Sequence, residues 1–213
     1  MKTDDLVAVL AAGAAPVDPA RVQRRLRGKL LAGIAIAFVL TWLLLGPRPD
    51  LAEAMRLPMF WLKAALPASV ALASWVLLVR LGHPGARLGA SPLAAAAPLA
   101  LVAVAGLLVL WQSAPAERAG LLFGQTWRDC LVNIPLLALP ALALALWALR
   151  GLAPTRLAAA GAAAGLFAGA AGAVAYAMHC PELEVPFLGA WYVAGMLIPA
   201  ALGAAAGRRL LHW

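Results

Sequence analysis

The sequence predicts an all-α membrane protein, a six-helix transmembrane bundle that follows a short N-terminal segment. Of its 213 residues, 64% are hydrophobic and 12% are charged, whereas a soluble domain has roughly 45–50% apolar and about 25% charged residues. The mean hydropathy of +0.89 agrees with this composition. A chain so poor in charge cannot cover a soluble surface, which excludes a water-soluble enzyme and a soluble nucleic-acid-binding domain.

Residues 1–28 are polar and predict a cytoplasmic N-terminal segment that is kept in the mature protein. Early aspartates and late arginines do not fit a secretory signal peptide, which has a basic start and then an apolar core. We expect a short helix with an apolar face, ending near residues 14–20, before an arginine cluster at 21–27 that lies at the lipid headgroups. Such a face fits a groove on a soluble partner. The alternative is a solvated tail that only fixes topology. The residues predicted to bind this partner are Thr3, Asp4, Asp5, Leu6, Val9 and Leu10.

Residues 29–213 contain the apolar stretches, each close to the roughly 20 residues that a helix needs to cross a bilayer. All should be helical, because lipid offers no partner to an unpaired backbone group. Prolines inside them predict kinks rather than breaks. The fifth stretch carries Gly161, Gly165 and Gly169, a spacing that lets two helices approach closely. The predicted spans are about 30–45, 59–79, 92–111, 131–149, 157–178 and 187–206.

The charge distribution predicts that both termini are cytoplasmic. With the N-terminus inside, the cytoplasmic segments carry 12 basic and 3 acidic residues, and the opposite side carries 5 basic and 6 acidic residues. This asymmetry follows the positive-inside rule.

The predicted spans lack the ionisable groups that transporters and intramembrane enzymes place at mid-membrane depth. Lys63 lies about one turn inside the second span, and we expect its ammonium to reach the surface by snorkelling. No catalytic motif is recognisable and no catalytic residue is assigned, which argues against an enzyme. A bundle of this kind is more typical of a sensor, a scaffold or an anchor.

The chain has two cysteines, Cys130 at the start of the fourth predicted span and Cys180 just beyond the fifth. Because a short link joins these spans, they should pack antiparallel and bring both thiols to the same, non-cytoplasmic membrane face. There the thiols would lie within reach of a disulfide or a shared metal ion. Together with His179 and Met178 they would suit a soft ion such as Cu, Cd or Zn, bound transiently, and no cofactor is otherwise required. The alternative is that both are ordinary small apolar residues.

Four short motifs resemble those of the NrsF-like family. They are Met1-Lys2-Thr3-Asp4-Asp5-Leu6, Arg128-Asp129-Cys130, the run from Tyr176 to Glu182, and Gly207-Arg208-Arg209-Leu210-Leu211. The resemblance covers essentially the whole chain, and the two cysteine motifs are its most specific part. It implies a six-span anti-sigma factor of the bacterial inner membrane, a negative regulator of an extracytoplasmic-function (ECF) sigma factor of the sigma-F type.

The resemblance further implies that residues 1–28 sequester the sigma factor and that Cys130 and Cys180 mediate the response to heavy-metal or oxidative stress. Expected partners are therefore this sigma factor and the lipid bilayer, with no direct contact to nucleic acid. The runner-up from the residues alone is a small transporter or metal-export accessory that handles a soft cation. It would transport metal and would not depend on residues 1–28. The sequence leaves the oligomeric state open.

Overall fold

The computed structural model describes residues 3–12 and 19–212, and these residues form helices and connecting loops without a β-strand. Six of the helices are long and apolar enough to cross a membrane, which is compatible with a multi-pass membrane protein. The helices, in chain order, are α1 (Thr3–Ala12), α2 (Pro19–Leu40, continued by a π-helical turn Thr41–Leu45), α3 (Leu51–Ala54), α4 (Pro58–Gly82), α5 (Ser91–Gln112), α6 (Arg118–Phe123), α7 (Trp127–Arg150), α8 (Leu157–Tyr176), α9 (Val185–Phe187, followed by a π-helical turn Leu188–Tyr192) and α10 (Val193–Leu210).

The main difference from the predicted spans concerns α2. It begins at Pro19 rather than near residue 30, so the arginine-rich stretch 21–27 and the apolar stretch belong to one continuous helix. The sequence analysis treated the two stretches as separate segments because the hydropathy changes sharply near residue 29. The backbone hydrogen bonds of a helix do not depend on that change. The short α3 and α6 lie in the predicted loops. Prolines 67, 98, 135, 140 and 199 lie inside helices that continue through them, as expected.

Helix α8 lies at the centre of the bundle, packed against α2, α4, α7 and α10. Its alanines and glycines leave no bulky side chains to hold a neighbour away, so backbones come into direct contact. A Cβ atom at Gly161 would overlap the carbonyl oxygen of Gly203 on α10, and one at Gly165 would overlap that of Pro199. At Gly169 it would lie 2.7 Å from the carbonyl oxygen of Met196. The glycine spacing therefore serves the contact between α8 and α10.

Both cysteines lie at one end of the bundle, which we call the cysteine end. Three loops meet there: residues 46–57 between α2 and α4, residues 113–126 between α5 and α7, and residues 177–184 between α8 and α9. Helix α5 lies at the periphery and is the least buried of the six long helices. The last of these three loops, 177–184, carries Cys180 and is the centre of the candidate site.

Candidate functional site

The two cysteines form a buried pair. Cys130 lies in the first turn of α7, where its N–H donates to the carbonyl of Thr126 (3.1 Å), and Cys180 follows α8, where its N–H donates to Tyr176 (3.0 Å). Both side chains are completely buried and both thiols are free. Their side chains are hydrogen-bonding neighbours. The antiparallel packing of α7 and α8 thus brings the thiols together, as expected from the short link between these helices.

Lys63 lies beside this pair, and the expectation that it snorkels to the surface is wrong. Its side chain is fully buried. Its Nζ donates to the carbonyl oxygens of Cys180 (2.6 Å) and Glu182 (2.8 Å). The loop 177–184 folds over the lysine and supplies oxygen acceptors inside the bundle, so the ammonium does not need to reach water. The bundle interior therefore holds an ionisable group that the span pattern did not assign a role.

Two tyrosines complete the surroundings of the thiols. Tyr176 at the end of α8 lies against Cys130, and Tyr192 lies against Cys180. Their ring centroids are 6.1 Å apart, and Lys63 Nζ lies 5.3 Å from the Tyr192 centroid. The Tyr192 hydroxyl is buried and has no nitrogen or oxygen partner among the described residues. The site thus combines two thiols, one ammonium and two phenol groups, with little access to water.

The surroundings favour the ionised form of Cys180, which lies outside the helical spans. Its neighbour Cys130 donates a hydrogen bond, and the Lys63 ammonium adds a positive charge, so that the pKa of the Cys180 thiol is lowered despite burial. The thiolate is the form that attacks an oxidant or binds a soft metal ion. Lys63 and Cys130 thus lie where they influence the ionisation of the Cys180 thiol.

The loop that carries Cys180 is bonded to the end of α2. His179 Nδ1 donates to the carbonyl oxygen of Gly46 (2.9 Å). In return, the backbone N–H of Arg48 donates to the carbonyl of Met178 (3.1 Å), and Arg48 Nη1 donates to that of Pro181 (3.4 Å). The Arg48 side chain is only 9% exposed.

Arg48 is oriented by Asp50, which accepts hydrogen bonds from Nε (2.7 Å) and Nη2 (2.6 Å). This bidentate geometry is typical of an arginine that is fixed in one position. The same contact lowers the pKa of the Asp50 carboxyl and raises that of Arg48.

Glu182 ties the same loop to the start of α7. Its Oε1 accepts from the backbone N–H of Gln125 (2.7 Å) and from the hydroxyl of Thr126 (3.4 Å). Gly124 adopts φ +52°, and a Cβ atom there would lie 2.7 Å from the Glu182 carboxylate. Glycine is required at this close approach. The cysteine loop is thus held by α2, by α4 through Lys63, and by the loop before α7.

The described residues contain no group of three or more His, Cys, Asp or Glu side chains that could hold a metal ion. The Nδ1 atom of His179 is engaged by Gly46. Met178 is bonded to the α2 end through its backbone carbonyl. In the present arrangement the two thiols are the soft ligands that the site brings together. Such a pair can be oxidised to a disulfide or can supply two ligands to a soft ion.

The predicted partner-binding residues lie on α1, far along the chain from the cysteines. Thr3, Asp4 and Asp5 occupy its first turn. Leu6 and Val9 are 42% and 67% exposed, so apolar side chains of α1 are presented to the surroundings. The side chain of Leu10 lies outside the described part of the chain.

The sequence pattern did not identify Lys63, Tyr176, Tyr192 and Arg48 as parts of the site. Lys63 was detectable in principle, because an ionisable residue within an apolar span is a functional candidate by default. No sequence pattern of this kind pointed to the contacts of Arg48 and the two tyrosines. They depend on how the three loops of the cysteine end fold against one another.

Comparison with known proteins agrees with the motifs. The profile of a family described as "Negative regulator of sigma F" matches residues 10–213. The chain is similar to the "Probable anti-sigma-F factor NrsF" of Azospira oryzae (strain ATCC BAA-33 / DSM 13638 / PS), with 43% identity over 213 residues that cover 100% of both chains. It is also similar to the "Anti-sigma-F factor NrsF" of Caulobacter vibrioides (strain NA1000 / CB15N), with 43% identity over 218 residues and 100% of both chains.

No solved structure matches the chain. The family profile begins at residue 10, whereas both relatives are matched over the whole chain, including the first turn of α1. A match over nearly the full length, at this identity, shows common descent rather than a shared hydrophobic composition. The chain belongs to the NrsF family of negative regulators of sigma F.

Proposed function

We propose that this chain is an anti-sigma factor that holds an ECF sigma factor at the inner membrane and releases it under heavy-metal or oxidative stress. The main support for this proposal is the buried pair of Cys130 and Cys180. The chain that contains this pair belongs to a family of sigma-F regulators. The protein acts by binding and release, without catalysis. Both termini are cytoplasmic and the cysteine end faces the periplasm, in accordance with the charge asymmetry.

The N-terminal segment sequesters the sigma factor. The exposed apolar residues of α1 support this role, since Leu6 and Val9 lie uncovered on a helix with an acidic first turn. A helix with exposed apolar residues binds by laying them into a groove of a partner. The arginines at the start of α2 place the segment at the inner headgroup layer, which keeps the bound sigma factor at the membrane and away from RNA polymerase.

The binding role is tested with a double variant of α1, Leu6→Asp/Val9→Asp, and a matched control, Ala11→Asp, on the opposite side of the same helix. Each full-length protein is co-purified from detergent with the ECF sigma factor encoded beside it. The wild type and the control should retain the sigma factor, and the double variant should lose it. Equal retention by all three proteins would contradict the assignment of this face.

The cysteine pair acts as the sensor. A dithiol oxidant such as diamide takes up the two thiol hydrogens and is reduced to the hydrazine, leaving a disulfide between Cys130 and Cys180. A soft ion such as Cd²⁺ would instead displace the thiol protons and bridge the two sulfurs. Either change alters the contact between α7 and the loop after α8. The coupling needed for a 5–150-fold change in sigma-factor affinity is about 1–3 kcal/mol.

This role is tested with Cys130→Ser, Cys180→Ser and the double variant, which contains no thiol because the chain has 2 cysteines. Release of the sigma factor is measured in vesicles after diamide or CdCl₂ treatment. The wild type should release it, and each variant should retain it. If the thiol-free variant released the sigma factor at the wild-type level, the sensor role would be refuted and the anti-sigma role would stand.

A further inference from the structure

The loop that carries Cys180 contacts the one membrane helix that continues directly from the N-terminal segment. We propose that Arg48 and His179 are positioning residues that couple the state of the cysteine pair to helix α2. This inference rests on the proposed function, and it names the route by which a change at the cysteine end reaches the other end of the bundle.

The first step is the direct bonding between the two segments. Three hydrogen bonds join residues 46–48 to residues 178–181: His179 to Gly46, and the backbone and side chain of Arg48 to Met178 and Pro181. On the side of the cysteine loop, the bonded residues Met178, His179 and Pro181 all lie within two residues of Cys180. A displacement of Cys180 therefore acts on these bonds before it acts on any other part of α2.

The two thiols must move closer together when they form a disulfide. Hydrogen-bonded thiols are farther apart than the roughly 2.05 Å between the sulfurs of a disulfide. Lys63 holds the carbonyl oxygens of Cys180 and Glu182 on α4, and the Glu182 carboxylate accepts from the loop before α7. The Lys63 bonds are short, whereas the bond from Arg48 Nη1 to Pro181 is 3.4 Å long, so we expect the bonds to residues 46–48 to yield first.

The third step is that the end of α2 has a second conformation within reach. Its last turn, Thr41–Leu45, is π-helical and is closed by the bond from Gly46 N–H to the carbonyl of Thr41 (3.0 Å). A π-helical turn holds one residue more than an α-helical turn and is a common functional feature. Return to α-helical bonding moves Gly46 by about one residue, which is about 1.5 Å along the axis. The His179 bond to the Gly46 carbonyl stabilises the π-helical form.

Helix α2 runs without a break from Pro19 to the turn that precedes Gly46. It contacts the bundle along a narrow stripe that includes Leu30, Ala37 and Thr41, while most of its other side chains are exposed. Gly33 lets the α2 backbone lie directly against α7, since a Cβ atom at this position would come within 2.8 Å of the Ala141 Cα atom. A shift at residue 46 is thus carried along one continuous helix that begins at Pro19.

The test uses hydrogen–deuterium exchange of the protein in nanodiscs, before and after full oxidation with diamide. In the wild type, the Arg48 amide, followed in peptides covering residues 41–48, should exchange at least fivefold faster after oxidation, because it loses the Met178 carbonyl as its acceptor. Unchanged exchange in this segment of the oxidised protein would overturn the inference whatever the sigma factor does.

The second measurement is sigma-factor release by Arg48→Ala/His179→Ala, with Arg56→Ala as a control that removes an exposed arginine from the same loop. Mass spectrometry confirms that each protein forms the disulfide. The double variant should retain the sigma factor when reduced and should release at least fivefold less than the control when oxidised.

Release equal to that of the control would refute the coupling role. If exchange in residues 41–48 responds to oxidation but the wild type releases no sigma factor, the proposed function fails and the structural link stands.

Discussion

Replacing Lys63 by methionine removes the buried ammonium and keeps a side chain of similar length. Two carbonyl oxygens, those of Cys180 and Glu182, then lose the donor that they share at 2.6 and 2.8 Å. No water can replace this donor easily, because Lys63 and Cys180 are both completely buried. The loop that carries Cys180 is expected to loosen from α4.

The magnitude follows from the two bonds that are lost. A hydrogen bond that involves a charged group contributes about 1.5–3 kcal/mol, and removal of one partner leaves the other unsatisfied. Methionine avoids the cost of burying a charge, which offsets part of this loss. We expect the free energy of unfolding to fall by about 3 kcal/mol and the melting temperature to fall by at least about 6 °C.

The assay is thermal unfolding in detergent, combined with alkylation of the thiols by a maleimide and mass spectrometry of each cysteine. Lys29→Met is the matched control. Lys29 Nζ lies 3.7 Å from the centroid of the Trp147 ring, a contact that contributes about 0.5–1 kcal/mol at a partly exposed site. Alkylation is run above the ordinary cysteine pKa of about 8.5, so that loss of the Lys63 charge does not by itself slow it. Cys180 should then react faster in Lys63→Met than in the control, because its loop is looser. A loss below about 1 kcal/mol, with Cys180 alkylated no faster than in the control, would refute the view that Lys63 holds this loop.

Three further changes test other contacts. Gly161→Ala adds a methyl group that would overlap the Gly203 carbonyl and should lower the free energy of unfolding by about 1–3 kcal/mol. Gly28→Ala, which meets nothing within 4 Å, should not lower it in the same denaturation assay. Glu182→Ala removes the acceptor of the Gln125 amide and should speed its hydrogen exchange at least fivefold, whereas Glu184→Ala should not. Arg48 lowers the pKa of Asp50, so this contact stabilises the fold above the ordinary aspartate pKa and is lost as pH falls through the lowered value. In Arg48→Ala, an NMR titration of the Asp50 carboxyl should show its pKa rise.

The sequence determined the number and approximate position of the long helices. An apolar stretch of about 20 residues can satisfy its backbone in lipid only as a helix, and that requirement is local. The glycines of α8 were also readable, because a spacing of four residues places Gly161 and Gly165 on one face of any helix. The proximity of Cys130 and Cys180 followed from a short link between two helices, which is a constraint on topology rather than on side chains.

Tertiary structure alone decided what surrounds the cysteines. Lys63 is buried rather than snorkelled because a loop more than 110 residues later in the chain supplies its two acceptors. The hydrogen bond between Arg48 and Met178 joins segments that are even farther apart in sequence. Neither contact leaves a periodic pattern, since each depends on the position of one carbonyl oxygen in an irregular loop. The sequence thus determined a bundle with two thiols at one end, and the packing of three loops decided which charge lies beside those thiols and which helix is bonded to them.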